Sequence, residues 1–492
     1  MSMKGLTKGA RTGFLGLVIA VLLGGAWWLA GPSFLVVPGA EWAVGWRTLR
    51  GRFDGTGIKD VTIAVDGSVY ACGDFRGAVD FDPSWGFEWR RSQGEGDAFL
   101  CKFDSSGQLK WVLAWGGRGP DSCREVAADR SGAVCVAGEF EGAIALPQNI
   151  GASRLSSWSQ RGMFALSLGP SAELRWAKTW EVPSPAALLL DDLVFDSRGA
   201  VLAVGTYWSA VDLDPGAGVW APTQPEGCFL LKLDPHGEFQ WARTCTAAAD
   251  NFVGRVTTDS LGNIYVAGHA DETIVFDASP APLYRSFTYE IGHDSGTYVA
   301  KFGPRGDVQW IRAWSNLNAY HGYGPGLGVD AAGNVYLSGH FTVTSHLVED
   351  PSLTLTAERI EDAFVSKFDS EGRFLWVRTW GGRHHDLSTG LALDSRGDVY
   401  VSGLFEELVD FDPGPGEEVR EAPIPPGARH APGHYVSQFD QNGEFKRVLT
   451  DYGWGFAVSD FQASVDSLSS VIVYGRTRLN VFVAKYPPYA NP

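Results

Sequence analysis

The chain is poor in methionine, in basic residues and in apolar segments at helical spacing. Only 3 Met occur among 492 residues, whereas Gly (61) and aromatic residues (13%) are abundant, a composition typical of β proteins rich in turns. The net charge of −17 argues against a nucleic-acid partner, because phosphate binding requires a basic face. Helical periodicity is missing after residue 30, which favours an all-β body.

Acidic residues are missing from positions 1–40, where Lys4, Lys8 and Arg11 precede an apolar run. A basic flank before such a run is typical of an export signal or a signal anchor, and about 18 residues are just enough to cross a bilayer as a helix. No clean cleavage site follows, so we expect an uncleaved membrane anchor, with a cleaved signal peptide as the alternative. The predicted division is a basic cytoplasmic region 1–12, a transmembrane signal anchor or signal peptide 13–30, a linker 31–40 and an extracytoplasmic body 41–492.

Motifs of known catalysts are missing as well. The chain contains no HExxH, CxxC, G-x-S-x-G or P-loop sequence. Its histidine clusters are His384-His385-Asp386 and the pair His430 and His434, a weak signal in a chain with 10 His. The sequence therefore assigns no catalytic or cofactor-binding residue, and carboxylate pairs gain catalytic meaning only where they meet in a pocket.

What the chain does have is a repeat. A pair of Trp four residues apart recurs at intervals of 65 to 71 residues, with Cys245 in the second position once and a worn copy at Arg447 and Asp451. Such a period indicates a repeat architecture. Residues at spacing four on a strand share one face, so we expect these rings to pack each repeat on the next. The pairs are Trp42/Trp46, Trp111/Trp115, Trp176/Trp180, Trp241/Cys245, Trp310/Trp314 and Trp376/Trp380.

The sequence pattern of each repeat predicts four strands. An innermost strand ends in an Asp-x-x-Gly turn, a second strand follows, a long loop leads to a third strand, and the fourth strand carries the Trp pair. The first Trp strand, 41–47, has no partner strands before it, and the last repeat stops after its third strand, 480–486. We therefore expect the N-terminal strand to complete the last sheet, which closes 41–492 into an all-β seven-bladed β-propeller of four-stranded antiparallel blades.

The repeat unit resembles a known family. Asp-x-x-Gly-x-Val-Tyr-Val-x-Gly, a loop with Asp-Phe-Asp-Pro-Gly, and Ala-Phe-Val-x-Lys-Phe-Asp-x-x-Gly-x-x-x-Trp are similar to the bacterial seven-bladed β-propeller repeat (SBBP repeat) over residues 41–486. The resemblance implies an exported or surface propeller whose biochemical role is mostly unassigned. Copies two and seven are degraded, so we expect less regular blades there. Quinoprotein propellers share an Asp…Gly-x-x-x-Trp pattern, but their adjacent Cys pair is missing here, which argues against a quinone.

Three of the long loops begin with two Asp that flank an apolar residue and are followed by Pro. Both carboxylates point the same way at the end of a strand, and carboxylate oxygens suit Ca²⁺. The alternative is that they accept backbone N–H bonds in a Pro-Gly turn. The candidate metal ligands are Asp80, Asp82, Asp212, Asp214, Asp410 and Asp412, with Asp277 and Asp350 as remnants.

Several Trp fall outside the packing pattern. Exposed indoles beside acidic groups stack on sugar rings or anchor a protein partner, although they also pack long loops onto a scaffold. The candidate binding residues are Trp85, Trp89, Trp208 and Trp220, and Trp158 also departs from the pattern.

The six Cys fall two to a blade, as Cys72/Cys101, Cys123/Cys135 and Cys228/Cys245. An oxidising compartment is compatible with disulfides. If Asp234 faces Gly237 across its turn, however, Cys228 faces Arg243 and is too far from Cys245 without a bulge. Cys123 misses Cys135 by a similar count. Disulfides and buried thiols both remain open.

Two hypotheses about function follow. The first is a non-catalytic extracytoplasmic scaffold, held to the membrane by its N-terminal helix or secreted, and monomeric, that binds a protein or polysaccharide through the loops of one face. The second is an exported enzyme, a hydrolase or lyase, with clustered Asp and His at the channel mouth. An enzyme requires carboxylates or His that converge in one pocket with perturbed pKa values, whereas a binding module requires only an aromatic or acidic patch.

Overall fold

All regular elements of the described chain are strands. The computed structural model describes residues 41–45, 47–48, 57–84, 86–147, 154–182, 187–246, 252–271, 273–277, 283–286, 295–315, 325–346, 354–422, 432–450, 458–465, 470–477 and 481–486. The predicted anchor 13–30 and linker 31–40 lie outside these residues. Within them, no helix is long and apolar enough to cross a bilayer.

Seven antiparallel sheets form the blades, as predicted, and each contains four blade strands; the sheet of blade 3 is extended to six strands. From blade 1 to blade 7, the innermost strands are Gly57–Ile63, Ser122–Ala128, Ala187–Phe195, Phe252–Thr258, Gly326–Val329, Leu387–Leu393 and Val458–Val465. The second strands are Val69–Phe75, Val134–Ala145, Val201–Trp208, Ile264–Asp271, Val335–His346, Val399–Phe405 and Val471–Thr477. The third strands are Asp97–Phe103, Arg154–Leu168, Glu226–Leu233, Ser295–Phe302, Thr354–Phe368, Gly433–Phe439 and Val481–Tyr486. The outer strands are Leu109–Trp115, Leu174–Glu181, Phe239–Thr246, Val308–Ser315, Phe374–Trp380, Phe445–Thr450 and Trp42–Gly45.

The two ends of the chain close the ring. Trp42 to Gly45 pair antiparallel with Lys485 to Phe482, so the N-terminal strand is the outer strand of blade 7. Each innermost strand contacts those of both neighbouring blades, including blade 7 with blade 1. Closure leaves no innermost strand without a neighbour, which is how a propeller avoids open edges.

The two ends of the ring differ. One end, the turn face, carries the Asp-x-x-Gly turns such as 129–132 and 234–237. The other end, the loop face, carries the second-to-third loops such as 76–96 and the links between blades such as 116–121. This division follows from antiparallel order, because the first and third strands begin where the second and fourth end.

In several pairs the first Trp packs on a turn of the following blade, a contact that we call the clamp. Trp176 Nε1 donates a hydrogen bond to the carbonyl oxygen of Pro235 at 3.1 Å, in the turn of the next blade. Gly237 in that turn has φ of 80°, and a Cβ there would lie 2.7 Å from the Trp176 ring. Glycine is therefore required both for the turn and for the approach of the indole. Trp310 and Trp376 make the same contact with Ser370 and Gln441.

The second Trp is buried in the next interface, as predicted, in the four described pairs that have one. Trp115, Trp180, Trp314 and Trp380 are at most 5% exposed. Trp180 Nε1 donates to the carbonyl oxygen of Leu213 in the following blade at 3.0 Å. Burial of a large ring typically stabilises a fold by about 3 kcal/mol or more.

At the loop face, strand pairing joins one blade to the next at four interfaces of the described chain, and we call each such pairing a lap. The start of a second-to-third loop pairs with the end of the preceding outer strand, as in Arg47 with Asp80 and Gly381 with Asp410. In blade 4 the lap is a hairpin that extends the sheet of blade 3 to six strands. These laps were not predicted. The additional strands are Arg47–Thr48, Ala78–Asp80, Trp89–Arg91, Thr273–Asp277, Leu283–Ser286, Leu408–Asp410 and Val419–Glu421.

A disulfide joins Cys228 and Cys245 in blade 3. The register predicted above, with Cys228 opposite Arg243, is wrong by two residues. Asp234 faces Glu238 rather than Gly237 across the turn, and a bulge between Lys232 and Leu233 adds a second residue, which brings the two Cys opposite each other. Bulges recur at the same step of the other blades, for example at Lys102/Phe103 and Lys301/Phe302. A bulge leaves no trace in an alternating pattern, so the sequence did not reveal it.

The degraded turn of blade 2 keeps its geometry, contrary to the expectation of a less regular blade. Ala172 takes the position of the turn glycine with φ of 68°. The Gly169 N–H donates to the Glu173 carbonyl oxygen at 2.8 Å, and the Ala172 N–H donates to that of Gly169 at 2.9 Å. Lys102 Nζ of the preceding blade donates a hydrogen bond to the Pro170 carbonyl oxygen of this turn at 3.3 Å, so the turn keeps a contact with blade 1. The other worn copy, at Arg447, lies in the outer strand of blade 6, where Arg447 pairs with Gln438 of the third strand. Asp451 lies outside the described residues.

Candidate functional site

The three Asp-x-Asp-Pro loops share one hydrogen-bond pattern. Asp80 Oδ1 accepts from the Glu88 N–H at 2.8 Å, eight residues on, and from the Asp82 N–H at 3.2 Å. Asp212 and Asp410 do the same with Trp220 and Glu418, both at 2.8 Å. The second Asp of each loop accepts from the N–H two residues on, as Asp214 does from Gly216 at 2.7 Å, and Asp82 and Asp412 behave alike.

These carboxylates hold their own loops. The apolar residue between them points into the core, since Phe81, Leu213 and Phe411 are at most 1% exposed. The loops belong to blades 1, 3 and 6, so the six candidate ligands are not brought together. Among the described residues, no group of three or more His, Cys, Asp or Glu has the arrangement of a metal centre. Calcium binding by these Asp stays a prediction.

The candidate binding Trp lie in three different settings. Trp89 is 41% exposed on the hairpin of the blade 1 loop, where Phe87 is 69% exposed. Trp208 is 38% exposed at the start of the blade 3 loop. Trp220 packs on the core between blades 2 and 3, beside Phe239. Trp85 and the side chain of Trp158 lie outside the described residues.

Blade 1 differs from the other copies of this hairpin. The residues aligned with Phe87 and Trp89 are Val219 and Ala221 in blade 3, and Glu417 and Val419 in blade 6. Only the blade 1 copy among these three places two aromatic side chains in solvent. Exposed neighbouring aromatics mark an interaction surface more often than scattered apolar residues do.

A cavity of about 340 Å³ opens on the loop face where blades 1, 2 and 3 meet. Its floor is apolar, formed by Phe140, Val182, Leu188 and Leu189, and Pro120 adds to the wall. That volume lies at the lower end of the range for small-ligand sites. The loop that carries Phe87 and Trp89 also supplies Arg76 and Gly96 to this cavity, so the aromatic hairpin and the cavity share one segment.

Charged side chains also line the cavity. Two ion pairs form the wall, Lys59 with Asp74 at 3.6 Å and Arg124 with Glu139 at 2.7 Å. Asp74 also accepts a hydrogen bond from the Ser122 hydroxyl at 3.3 Å, and burial raises the pKa of Asp74.

Charged residues of both signs line the cavity. Arg76 and Arg161 are exposed lining residues, and the lining also includes Asp121 and Glu141. A guanidinium is matched in shape to a carboxylate, which it binds through two parallel hydrogen bonds. The two exposed Arg side chains can therefore bind a carboxylate beside the apolar part of the lining.

The equivalent link between blades 5 and 6 has different chemistry. We name junction 1/2 (residues 115–122 with Gly96) and junction 5/6 (residues 380–387 with Glu361). His385 Nδ1 lies 2.7 Å from Glu361 Oε2, and Glu361 is buried. His384 Nε2 lies 3.2 Å from Glu407 Oε1, and its Nδ1 lies 3.9 Å from Glu406 Oε2. The His384-His385 stretch of the sequence is thus part of a cluster with three Glu.

Both junctions contain a buried aspartate at the equivalent position. Asp121 accepts from the N–H groups of Gly117 and Glu141 at 2.7 and 3.1 Å. Asp386 accepts from Gly382 and Glu406 at the same two distances. Burial raises the pKa of Asp121 to about 6 and that of Asp386 to about 7. Because junction 1/2 has no His, the raised pKa belongs to the shared link rather than to a catalytic group.

A third cluster lines the inner ring of blades 1 to 4. Asp60 accepts from the N–H of Val126 in blade 2 at 2.8 Å and from the Tyr474 hydroxyl of blade 7 at 3.0 Å. Asp192 accepts from Val256 of blade 4 at 2.8 Å. These bonds latch neighbouring innermost strands to one another.

Burial raises the pKa of the inner-ring carboxylates. The pKa of Asp192 rises to about 6 and that of Asp191 to about 7, while those of Asp60 and Glu125 also rise. Burial opposes the charge of Arg255, but Asp192 and Glu125 hold its pKa above the usual range. The group is a network around one guanidinium, which fits a structural role.

A second cavity, of about 580 Å³, lies on the turn face between blades 3 and 4. Its wall includes the ion pair between Lys232 and Asp196 at 2.8 Å, and Trp241, which packs on Gly306 of the next turn. These are the repeated clamp contacts, so this cavity follows from blade packing.

Sequence reasoning missed the loop-face cavity, because its lining comes from three repeats. An alignment of the links WGGRGPD (115–121) and WGGRHHD (380–386) would have separated the shared positions from the variable ones. The variable positions are Gly119 and Pro120 against His384 and His385, and Gly96 against Glu361.

The ring and its loop-face cavity define the chain as a seven-bladed β-propeller with a candidate ligand site at blades 1 to 3. No family model matches the chain. Among solved structures it is similar to the WD40 domain of SCAP from fission yeast (10% identity, 89% of this chain and 98% of that chain, TM-score 0.36). It is also similar to a DUF4221 family member from Bacteroides vulgatus (10% identity, 90% and 96%, TM-score 0.30).

One curated sequence is similar over part of the chain. It is an uncharacterized WD repeat-containing protein of Acanthamoeba polyphaga mimivirus, 24% identical over 201 residues. The match covers 36% of this chain and 14% of that protein. The chain thus spans a small share of this relative's length.

Proposed function

We propose that the protein is a non-catalytic binding scaffold that captures a partner protein through the loop face of blades 1 to 3. The observation that carries the proposal is the cavity, with its apolar floor and its exposed rim of Arg76 and Arg161. The partner presents an apolar side chain beside a carboxylate, and Phe87 and Trp89 pack on the flanking segment.

The wider setting belongs to the same proposal. The repeat pattern favours membership of the SBBP repeat family, and the N-terminal pattern favours an extracytoplasmic scaffold anchored in a membrane. Binding at the loop face then leaves the turn face, with its clamp contacts, free of any role besides packing.

A display library of peptides is the direct test. The full chain is expected to select peptides with an acidic residue next to a large apolar one. Arg161→Glu should weaken the selected peptide at least tenfold, because it places a like charge at the rim. Arg383→Glu, an exposed residue at junction 5/6, is the matched control and should leave affinity unchanged.

The outcomes separate the alternatives. Loss of binding in Arg383→Glu but not in Arg161→Glu would move the site to junction 5/6. Failure to select any peptide, together with a positive glycan array that depends on Trp89, would replace the protein partner with a polysaccharide. Failure of both screens would overturn the proposal.

A catalytic role is the second candidate, and one observation favours it. At junction 5/6 a buried Glu361 contacts Nδ1 of the half-exposed His385 ring at 2.7 Å, the arrangement by which a carboxylate orients a general base. Burial also raises the pKa of the neighbouring Asp362 to about 6. A panel of ester, phosphoester and glycoside substrates tests this role. Activity lost in His385→Asn but kept in His236→Asn, on the turn face, would support an enzyme.

Calcium binding by the Asp-x-Asp-Pro loops is a further proposal. Each loop offers a carboxylate oxygen beyond the one that accepts backbone N–H groups. Thermal melting in millimolar Ca²⁺ and in chelator tests it. A shift that persists in Asp82→Asn but disappears in the triple variant Asp82→Asn/Asp214→Asn/Asp412→Asn would support three equivalent sites, and an unchanged melting temperature would end the idea.

A further inference from the structure

The four remaining Cys are grouped differently from the blade-internal pairs expected above. Cys72 lies opposite Leu100 and Cys123 lies opposite Gly138, so neither faces the other Cys of its own blade. The Cys72 thiol instead interacts with the Cys123 thiol of the next blade, and the Cys123 thiol also donates a hydrogen bond to the Glu125 carbonyl oxygen at 3.8 Å. The second strand of blade 1 and the innermost strand of blade 2 are in contact, which brings the two residues together.

Strand alternation sends the other two thiols elsewhere. Cys72 and Cys123 are buried in the same apolar core, between blades 1 and 2. Cys101 is buried between blades 7 and 1, where its thiol donates to the Ala71 carbonyl oxygen at 3.4 Å. Cys135 is buried in the core between blades 2 and 3. Of the four Cys outside the blade 3 disulfide, the two that share a core are therefore Cys72 and Cys123.

We propose that Cys72 and Cys123 form a disulfide that joins blade 1 to blade 2 beneath the loop-face cavity. A disulfide requires two sulfur atoms that can come into contact. Both thiols are unbonded in the structure, are buried in one apolar core and lie on strands of neighbouring blades that contact each other. The proposal does not depend on the proposed function, because it concerns the covalent state of the scaffold.

The chemistry balances through thiol–disulfide exchange. The Cys72 and Cys123 thiols lose two protons and two electrons as one S–S bond forms. The electrons reduce one disulfide of an oxidising thiol–disulfide oxidoreductase to two thiols, which take up the equivalent of those protons. Burial raises the pKa of the Cys72 thiol well above its usual range, so the attacking thiolate is scarce once the blades have closed. The bond therefore forms before or during closure, in a compartment that supplies a disulfide donor.

The link bears on the cavity above it. Asp74, two residues beyond Cys72 on the same face of the strand, lines the cavity and accepts a hydrogen bond from Ser122 at 3.3 Å. Ser122 directly precedes Cys123. A disulfide between Cys72 and Cys123, next to the Asp74–Ser122 hydrogen bond, would fix the distance between the two strands that form this part of the cavity wall.

Peptide mapping by mass spectrometry tests the proposal. The full chain is made in an oxidising compartment, its free thiols are alkylated in denaturant without reductant, and it is digested. The expected result is one peptide that joins Cys72 to Cys123 and another that joins Cys228 to Cys245, with Cys101 and Cys135 alkylated. Chain made in a reducing compartment should carry Cys72 and Cys123 in alkylated form and should melt at a lower temperature.

Variants give matched controls. Cys101→Ala should retain the Cys72–Cys123 peptide, whereas Cys72→Ala should leave Cys123 alkylated. Alkylation of both Cys72 and Cys123 in the oxidised wild-type chain, or pairing of Cys123 with Cys135, would overturn the proposal. The wild-type map decides the question even if Cys72→Ala does not fold. Loss of peptide binding with an intact crosslink would count against the proposed function alone.

Discussion

Junctions 1/2 and 5/6 share the same backbone contacts but differ in the side chains that occupy them. In both, a Gly-Gly-Arg link is held by one buried Asp, and both form the same parallel bridge, Gly96 to Pro120 and Glu361 to His385. Junction 1/2 has Gly and Pro at these positions and leaves a cavity beside the exposed Arg76 and Arg161. Junction 5/6 fills the corresponding positions with Glu and His side chains that pair with one another.

The inner ring shows the same contrast. In blades 1 to 4 the innermost strands are joined through Asp60, Asp192 and the buried Arg255. Between blades 5 and 6 the join is neutral, since the Ser388 hydroxyl donates to that of Ser338 at 2.8 Å and Gly328 packs on Leu391. A repeat scaffold thus keeps its hydrogen-bond geometry while the chemistry of each interface changes independently.

We call the innermost strands of blades 1 to 4 the charged half of the ring and those of blades 5 and 6 the neutral half. The largest loss of stability is expected from a substitution in the charged half. Arg255→Met removes the cation and leaves Asp60, Glu125 and Asp192 without its field. Breaking a buried ion network in this way typically lowers the free energy of unfolding by about 3–5 kcal/mol. Urea denaturation at pH 7 measures it, and the loss should shrink at pH 5, where the carboxylates bind protons more readily.

The matched change in the neutral half is Ser388→Ala. Loss of one neutral hydrogen bond there should lower the free energy of unfolding by about 1 kcal/mol. Equal losses in Arg255→Met and Ser388→Ala would mean that the charges contribute no more than hydroxyl groups to holding the innermost strands together.

A smaller effect concerns the pH dependence of the charged half. The pKa of Asp191 is about 7 in the folded chain, above the usual value for Asp, because burial and the charge of Asp192 outweigh the hydrogen bond from Thr206 and the charges of Arg124 and Arg255, which lower it. A raised pKa means that the folded state holds the proton more tightly. The contribution of Asp191 therefore favours the fold below about pH 4 and is lost as the pH rises through 7.

Asp191→Asn should remove this slope. The variant is expected to melt at a higher temperature than the wild type at pH 8, and the difference should close at pH 4.5. Ser388→Ala removes no titratable group and serves as the control, with a melting difference that does not depend on pH. A wild-type advantage at pH 8 would show that ionised Asp191 stabilises the ring through Arg124 or Arg255.

How much of this was predictable follows from what a repeat encodes. The closure of the ring was predictable because a strand left over at 41–47 matched a strand missing after 480–486, and pairing of edges is physically required. Burial of Trp115 and Trp180 was predictable because spacing four on a strand fixes the face. Both inferences use only the period and the alternation, which every copy of the repeat shares.

The site was not predictable in the same way. Cavity residues such as Lys59 and Arg161 look like ordinary surface positions in their own repeats, and they meet only because three blades converge. The Cys partners depended on bulges at Lys232/Leu233 and Ala137/Gly138, which shift a register by one residue without changing the alternating pattern.

The smallest change in the free energy of unfolding is expected when one residue is exchanged between the two junctions. Four blades have a left-handed backbone at an equivalent position near the end of the second strand. The residues there are Gly77, Gly142, Ser209 and Glu407, with φ of 72°, 77°, 82° and 57°. Glutamate is strained in this conformation by about 1 kcal/mol, whereas glycine is not. The Glu407 carboxylate lies 3.2 Å from His384 Nε2 in a partly exposed contact, and surface contacts of this kind typically contribute less than about 1 kcal/mol.

Glu407→Gly should therefore raise the free energy of unfolding by about 0.5–1 kcal/mol, and the reverse exchange in blade 2, Gly142→Glu, should lower it by a similar amount, because the backbone strain and not the local charge decides both signs. Urea denaturation of the two single variants and of the double exchange measures this. If Glu407→Gly instead destabilises the chain by more than 1 kcal/mol, the His384–Glu407 contact is stronger than a surface pair. Junction 5/6 would then be a built polar site held against backbone strain, which is the arrangement that a catalytic centre requires and that a plain structural link does not.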